Sequence, residues 1–270
     1  NCFRSEGITY RYARVKRDNW DITGGNFYEQ FGSGLIFRSY EERGLGLDNA
    51  MDGVRILTKI NGGIKIKGVL GRQRKYFTKS DGIVRGLDIE WSANELIPIL
   101  NKKGIVTSFG ASFVSKFQRG FDPILYLPEN VGSYALRSNL NFKGFSWTNE
   151  WAYKINDPSY DNGYIYRPGE AFISTLTYSK KGLGILASIK RIDNMSFRSD
   201  RNAQQFDLFI NFLPPTSDPH PDALPALYPY ATQVNGEIGG QFEISYMIPR
   251  GSPLGGKYGT RLNFNSAISN

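Results

Sequence analysis

"FSWTNEWAYK", residues 145–154, places Phe145, Trp147, Trp151 and Tyr153 on one parity and Ser146, Thr148, Glu150, Ala152 and Lys154 on the other. Successive side chains of an extended strand point to opposite faces, so a period of two reads as a strand with one aromatic and one polar face. Whether the aromatic face looks into a protein core or out into lipid decides between a soluble sandwich and a membrane barrel.

The same alternation recurs along the chain. Ile105, Phe109, Ala111, Phe113 and Phe117 alternate with Ser108, Gly110, Ser112, Val114 and Lys116; Tyr134, Leu136, Leu140 and Phe142 alternate with Ser133, Arg137, Asn139 and Asn141. Ile238, Phe242, Ile244 and Tyr246 alternate with Glu237, Gln241, Glu243 and Ser245. Helical periodicity is almost absent. Such runs predict roughly a dozen strands of about 9–12 residues, longer than the usual globular strand and matched to a tilted membrane-spanning one.

Compact turns are expected at 17–19, 61–63, 101–104, 143–144, 180–182 and around 252–256, where Gly or Asn supplies positive φ. Long connections at 31–50, 119–130, 155–168 and 193–232, with a shorter one near 78–82, alternate with them. Outer-membrane barrels pair short turns on one side with long loops on the other. The expectation is an all-β, antiparallel transmembrane β-barrel occupying 1–270 as a single domain. From the parity of its connections it reads as a segment of a larger barrel, incomplete at both ends. So wide a barrel cannot fill its interior with one layer of side chains, which places the polar parity inside and the aromatics against lipid. Tyr10, Tyr12, Trp20, Trp91, Trp151, Tyr178 and Tyr246 then suit interfacial girdles. The competing reading keeps these rings in a sandwich core.

Composition is compatible with this. Of 270 residues 40% are hydrophobic, and no run approaches the ~20 consecutive apolar residues of a membrane helix. Lys and Arg number 33 against 25 Asp and Glu, a net charge of +8. This points to an anionic neighbour such as lipid headgroups or lipopolysaccharide. Nucleic acid is not expected, because the cations are spread along the chain and no nucleic-acid-binding motif appears. One cysteine, Cys2, excludes an intrachain disulfide, and the single histidine, His220, lacks partners for a transition metal. No cofactor or metal is expected.

The inner face is expected to be lined by Arg55, Lys59, Lys65, Lys67, Asp88, Glu90, Arg137, Asn139, Glu150, Glu237, Glu243 and Arg261, a mixture of both signs. The Gly-rich stretch 26–56 gathers Glu29, Arg38, Glu41, Glu42, Arg43 and Asp48. It reads either as a constriction folded into the lumen, where facing acids and bases set a transverse field, or as a surface loop with local ion pairs. The carboxylate pairs Glu29/Asp52 and Asp88/Glu90 have a spacing seen in glycosidases, but acids lining a wet lumen need no catalytic explanation, and no nucleophile motif is present. No enzyme is expected, and no catalytic residue is assigned. In "PPTSDPHPDALPALYPY", five prolines between 214 and 225 stiffen a loop whose Leu224, Leu227, Tyr228 and Tyr230 ask for cover. That loop would cap or plug the barrel, dock a partner, or pack on itself.

Two passages carry a resemblance: "GNFYEQFGSGLIFRSYEERGLGLDNAMDGVRI" and "LPPTSDPHPDALPALYPYATQVNGEIGGQFEISYMIPRGSPLGGKYGTRLNF". With them the chain resembles an uncharacterised outer-membrane β-barrel family of the Bacteroidota. The resemblance implies an exported protein with a longer full-length chain, and it carries over no catalytic or binding residue. Two functions follow as expectations: porin-like passage of small polar solutes, or a non-conducting accessory subunit of an outer-membrane export or assembly complex.

Overall fold

Alternation resolves into one antiparallel sheet of twelve strands. The computed structural model describes residues 10–42, 47–75, 77–120, 122–204, 207–216 and 232–270. The sheet contains β1 (Tyr12–Lys16), β2 (Trp20–Phe27), β7 (Met51–Ile60), β8 (Ile64–Lys75), β9 (Thr78–Ser92), β10 (Ile105–Phe117), β11 (Asn130–Phe142), β12 (Phe145–Lys154), β13 (Gly169–Lys180), β14 (Leu183–Asp193), β15 (Gly236–Ile248) and β16 (Thr260–Ser269). Two small ladders stand apart from it: β3 (Glu29–Gln30) with β4 (Arg38–Ser39), and β5 (Glu41–Glu42) with β6 (Leu47–Asp48). Sheet neighbours follow chain order throughout, an up-and-down meander. Among the described residues β1 and β16 are not paired with each other.

The opening stretch is β12. Phe145 and Trp147 are about half exposed, whereas Glu150, Ala152 and Lys154 on the other parity are buried. The aromatic rings therefore lie outside and the core lies against the polar parity, which rules out the sandwich-core reading. Outward rings gather in two bands. Trp20, Phe145, Trp147, Tyr178 and Tyr246 lie toward the short-turn end, with Phe145 and Tyr178 rings 4.4 Å apart. Tyr134, Trp151 and Tyr153 lie toward the long-connection end, with Leu136 opposite Trp151 and Leu176 opposite Trp147, and the row between the bands holds exposed Ile189 beside the outward polar side chains Ser138, Asn149 and Ser174. Tyr10 and Tyr12 do not join the girdle. Tyr12 shares the parity of Arg14, whose guanidinium pairs with buried Asp21, and Tyr10 stacks on Tyr28.

Turns at Arg17–Asn19, Asn61–Gly63, Lys143–Gly144 and Lys181–Gly182 are as short as their Gly and Asn residues predict. The 101–104 turn is instead part of a longer connection that includes a 3-10 turn at Ala93–Glu95 and a short helix, α1 (Pro98–Lys102), with Pro98 in its first turn. The connection expected near 78–82 is strand: β9 begins at Thr78, and the chain reverses immediately before it.

The interior is where expectation and structure part. The mixed-charge lining expected there, with the long connections either folded into it or left outside, describes only the short-turn half. The long-connection half is instead packed with Phe31, Leu35, Ile36, Phe37, Met195, Phe197 and Ile210, all essentially without solvent contact, against Val84, Val114, Val131, Ala152, Ala171 and Ile192 of the wall. These apolar side chains come from connections that fold inward, 28–39 and, of the second, 194–204 and 207–216. A barrel too wide for its own wall residues can be filled by such inserted segments.

Candidate functional site

The inserted segments form a ladder of their own. Phe31 N–H donates to Phe37 O at 3.0 Å, Arg38 N–H to Ile210 O at 2.8 Å, Phe212 N–H to Gly34 O at 2.9 Å and Ile210 N–H to Phe197 O at 3.0 Å. Asn211 ties the pieces together, its amide donating to Met195 O at 2.7 Å and Leu35 O at 3.2 Å. Backbone groups buried inside a barrel must find partners, either in each other or in side chains of the wall.

Residues 29–39 cross the interior as a bar. At its root, Glu29 accepts from Arg55 Nε of β7 at 2.7 Å and from Lys67 Nζ of β8 at 2.9 Å, and Lys67 also donates to Gln30 O at 2.9 Å. At its tip, Ser33 N–H donates to the Glu150 carboxylate of β12 at 2.7 Å. β8 and β12 stand four places apart in the sheet, so the sheet must curl for one short segment to touch both. Two glycines make the fit possible. A Cβ on Gly32, whose φ is +54°, would lie 2.6 Å from a Glu150 oxygen, and one on Gly86 would lie 2.7 Å from the Phe31 ring.

Burial by itself would raise the Glu29 pKa. The Gln30 N–H, Lys67 and Arg55 outweigh it and hold this carboxyl below the usual glutamate range.

Wall lysines anchor the second segment together with Asp157 of the connection between β12 and β13. Lys116 Nζ donates to both oxygens of Asp157 at 2.7 and 3.0 Å, Lys154 Nζ lies 3.9 Å from the same carboxylate and donates to Ser196 O, and all three side chains are fully buried. The Phe197 ring lies within cation–π distance of both ammonium groups, 5.7 and 5.9 Å. Lys190 pairs with Glu237 at 2.6 Å and donates to Pro214 O, while Gln73 donates to Phe209 O and accepts from Ser199 Oγ, each at 2.7 Å.

Across the middle of the wall, Arg137 reaches Asp88 at 2.7 Å and Ser112 Oγ at 2.7 Å, with Glu90 at 3.8 Å. Towards the short turns the inner face opens. Lys65 and Glu90 stand 3.6 Å apart and part-exposed, Asn139 donates to Ser108 Oγ at 3.1 Å, and Glu243 accepts from Gln241 and from Asn265.

The expected lining residues thus divide. Arg55, Lys67, Asp88, Arg137, Glu150 and Glu237 are on the inner face but engaged with the inserted segments or with each other. Lys65, Glu90, Asn139 and Glu243 line the open half, and Lys59 and Arg261 share their parity at its exposed end. Of the constriction candidates, Glu29 is the root of the bar and Arg38 lies between the Tyr40 and Phe212 rings, 4.2 and 4.1 Å from their centres. Asp48 accepts from Tyr28 OH at 3.0 Å and pairs with Arg74, beside the bar and not in it. Glu41 and Glu42 are exposed in the small β5–β6 ladder.

Arg43, Leu224, Leu227, Tyr228 and Tyr230, like Cys2 and His220, lie outside the described residues. The carboxylates considered as catalytic pairs each have their own cation, Asp52 meeting Lys79 at 2.7 Å. Asp157, Asn211, Arg198, which pairs with Asp161 at 2.6 Å, and Arg201, which donates to Pro128 O at 2.9 Å, were not anticipated, and only the inward parity of Lys116 and Lys154 gave a sequence signal for the buried clusters.

A family model spans all of residues 1–270. The chain belongs to the Family of unknown function (DUF6029). None of the curated proteins matches it significantly. Among solved structures, this member of the family is similar to a BenF-like porin from Pseudomonas fluorescens Pf-5, with 11% identity and a TM-score of 0.42 over 95% of this chain and 71% of the other. It is similar to Pseudomonas aeruginosa OccK2 (OpdF) in complex with glucuronate, with 10% identity, a TM-score of 0.42 and coverage of 96% and 74%. It is also similar to Pseudomonas aeruginosa OpdL, with 10% identity, a TM-score of 0.41 and coverage of 96% and 76%. Likeness this distant leaves the function to be argued from this chain's own residues.

Proposed function

We propose that the chain forms an outer-membrane β-barrel of a Bacteroidota bacterium and gives porin-like passage to small polar solutes through a mixed-charge lumen. One observation carries this reading: the two faces of the sheet differ, with rings and aliphatics exposed outward and most ionised groups turned inward, the outward charges Arg85, Glu170 and Arg191 lying toward the long-connection end. Apolar surface on this scale is unfavourable in water and favourable in hydrocarbon, and strands such as β10, at 13 residues, have the length to cross it. The described residues hold no helix long and apolar enough to cross a membrane, which says nothing of strands. The excess of positive charge suits lipopolysaccharide phosphates around the long-connection rim.

The bar at 29–39 is the constriction of this path, and the open inner face near Lys65, Glu90 and Glu243 is its entrance from the short-turn side. No catalytic step belongs to this reading. The test is planar-bilayer recording of the refolded protein beside a variant with residues 31–36 replaced by Gly-Ser. Small ohmic steps in the native chain, several-fold larger in the shortened one, are expected. A folded barrel that stays silent in both forms overturns the channel in favour of a non-conducting accessory subunit of an export or assembly complex.

A further inference from the structure

The root of the bar is built as a ligand site that the protein fills with its own side chain. Glu29 contributes a carboxylate with nine-tenths of its side chain buried, and that carboxylate meets one guanidinium and one ammonium from two different wall strands. The Gln30 N–H completes the set at 3.0 Å from Glu29 Oε1. Arg55 and Lys67 belong to the barrel wall, fixed by the β7–β8 register, whereas Glu29 belongs to an inserted segment. Arg14, Lys16, Lys59 and Lys65 share the inner parity of the same wall, against the acids Asp21, Asp88 and Glu90. Take Glu29 away and these strands keep six cations for three carboxylates, one of which, Asp88, is already held by Arg137. Solvent already reaches it: the Lys67 side chain is 24% exposed and that of Lys65 is 46% exposed.

We propose that Arg55 and Lys67 form a carboxylate-binding site on the lumen wall, occupied at rest by Glu29, and that a small solute carboxylate exchanges with Glu29 during passage. The inference deepens the channel reading by naming a solute class, and rests on it for the word passage; the site stands without it. A solute carboxylate taking this position would receive the donors Glu29 now receives, Arg55 Nε and Lys67 Nζ, by charge-assisted bonds with little rearrangement of the wall. Exchange would loosen the root of the bar while its tip stays on Glu150, so passage and displacement of the constriction become one event.

Chemical rescue tests the site without any need for conduction. Glu29→Ala removes the carboxylate and leaves its two cations facing each other. Its thermal midpoint in detergent should fall below that of the native protein and rise again with sodium acetate or sodium formate, but not with equal sodium chloride. The native protein should show no acetate-specific rise, and Glu29→Ala combined with Arg55→Ala should lose the rescue. If Glu29→Ala does not fold in chloride, refolding yield in acetate against chloride is the same measurement.

Glu29→Gln, which keeps the shape of the side chain, should shift the reversal potential in a salt gradient towards anions in bilayers. Equal responses to acetate, formate and chloride in both single variants overturn the carboxylate site. Rescue by acetate with silent bilayers keeps the site and overturns the channel.

Discussion

Two halves of one interior, built on the same strands and the same inward parity, have opposite characters. In the long-connection half Lys116 and Lys154 have no solvent contact, and their shared carboxylate is equally buried. In the short-turn half Lys65 and Glu90 make a looser pair, with about half and a third of their side chains exposed. Residue type does not distinguish the halves. What distinguishes them is whether a connection folds back inside. Where 28–39, 194–204 and 207–216 enter, water leaves, and every wall charge must then find a fixed partner. At the other end the connections are tight turns or, at 93–104 and 249–259, mostly exposed, so nothing enters and the wall charges stay hydrated.

The sharpest way to break this comparison is Asp157→Ala. It leaves two buried ammonium groups without their carboxylate, a loss of about 3–5 kcal/mol for a broken buried pair. Denaturant unfolding in detergent should show it as a lower midpoint at unchanged slope. A loss under about 1 kcal/mol would mean that water reaches this half after all, and the contrast between the halves would collapse.

Next in size is a test of the outer face. Ile189 is exposed on β14, opposite Ser174 and between the two bands of rings. In lipid vesicles Ile189→Arg should cost about 2–4 kcal/mol, as for a cation at the midplane of a barrel. On a water-facing sheet the same exposed substitution should stay within about 0.5 kcal/mol. A neutral result in vesicles would remove the membrane from the reading while leaving the inner architecture intact.

The wall was legible in the sequence and the filling was not, for a physical reason. Alternation is imposed by the strand itself, so 145–154, 105–117 and 238–248 declare their faces without help from the rest of the chain. Arg137, Asp88 and Glu150 could be placed inward from parity alone. Inserted segments have no period. Asp157, Asn211 and Arg201 sit in connections where only tertiary contact decides their role, and Asn211 gains its meaning from carbonyls at residues 35 and 195. Tyr10 and Tyr12 show the limit of composition, since aromatic character suggested a girdle while the register of β1 turns Tyr12 to the inner face. Gly32 and Gly86 read as turn or strand punctuation until the Glu150 carboxylate and the Phe31 ring are seen against them.

Acid pH sharpens the comparison more gently, through the root of the bar. Because the folded state holds the Glu29 carboxyl below its usual range, the stabilisation it gives is complete above the ordinary glutamate pKa of ~4.3 and is lost as pH falls through the lower folded value. Protection of the amides of residues 30–34, taken against the intrinsic exchange rate at each pH, should therefore stay high at pH 5 and fall only in more acidic solution, ahead of that of the amides facing Lys116 and Lys154. Protection lost already above pH 5 would show that Arg55 and Lys67 do not hold this carboxylate.

The smallest effect belongs to Glu90→Ala in the open half. Lys65 and Glu90 at 3.6 Å are both hydrated, so breaking the pair should change stability by about 0–1 kcal/mol, and less at high salt. Glu90 also stands 3.8 Å from Arg137, but that guanidinium keeps Asp88 and Ser112, so its loss there is small. Conductance should respond more than stability does, because a charge at a wet entrance acts on ions over a Debye length of about 8 Å without holding any part of the fold in place. A cost comparable to that of Asp157→Ala would mean that the short-turn half is packed as tightly as the other. There would then be no open entrance through which a solute could reach the bar.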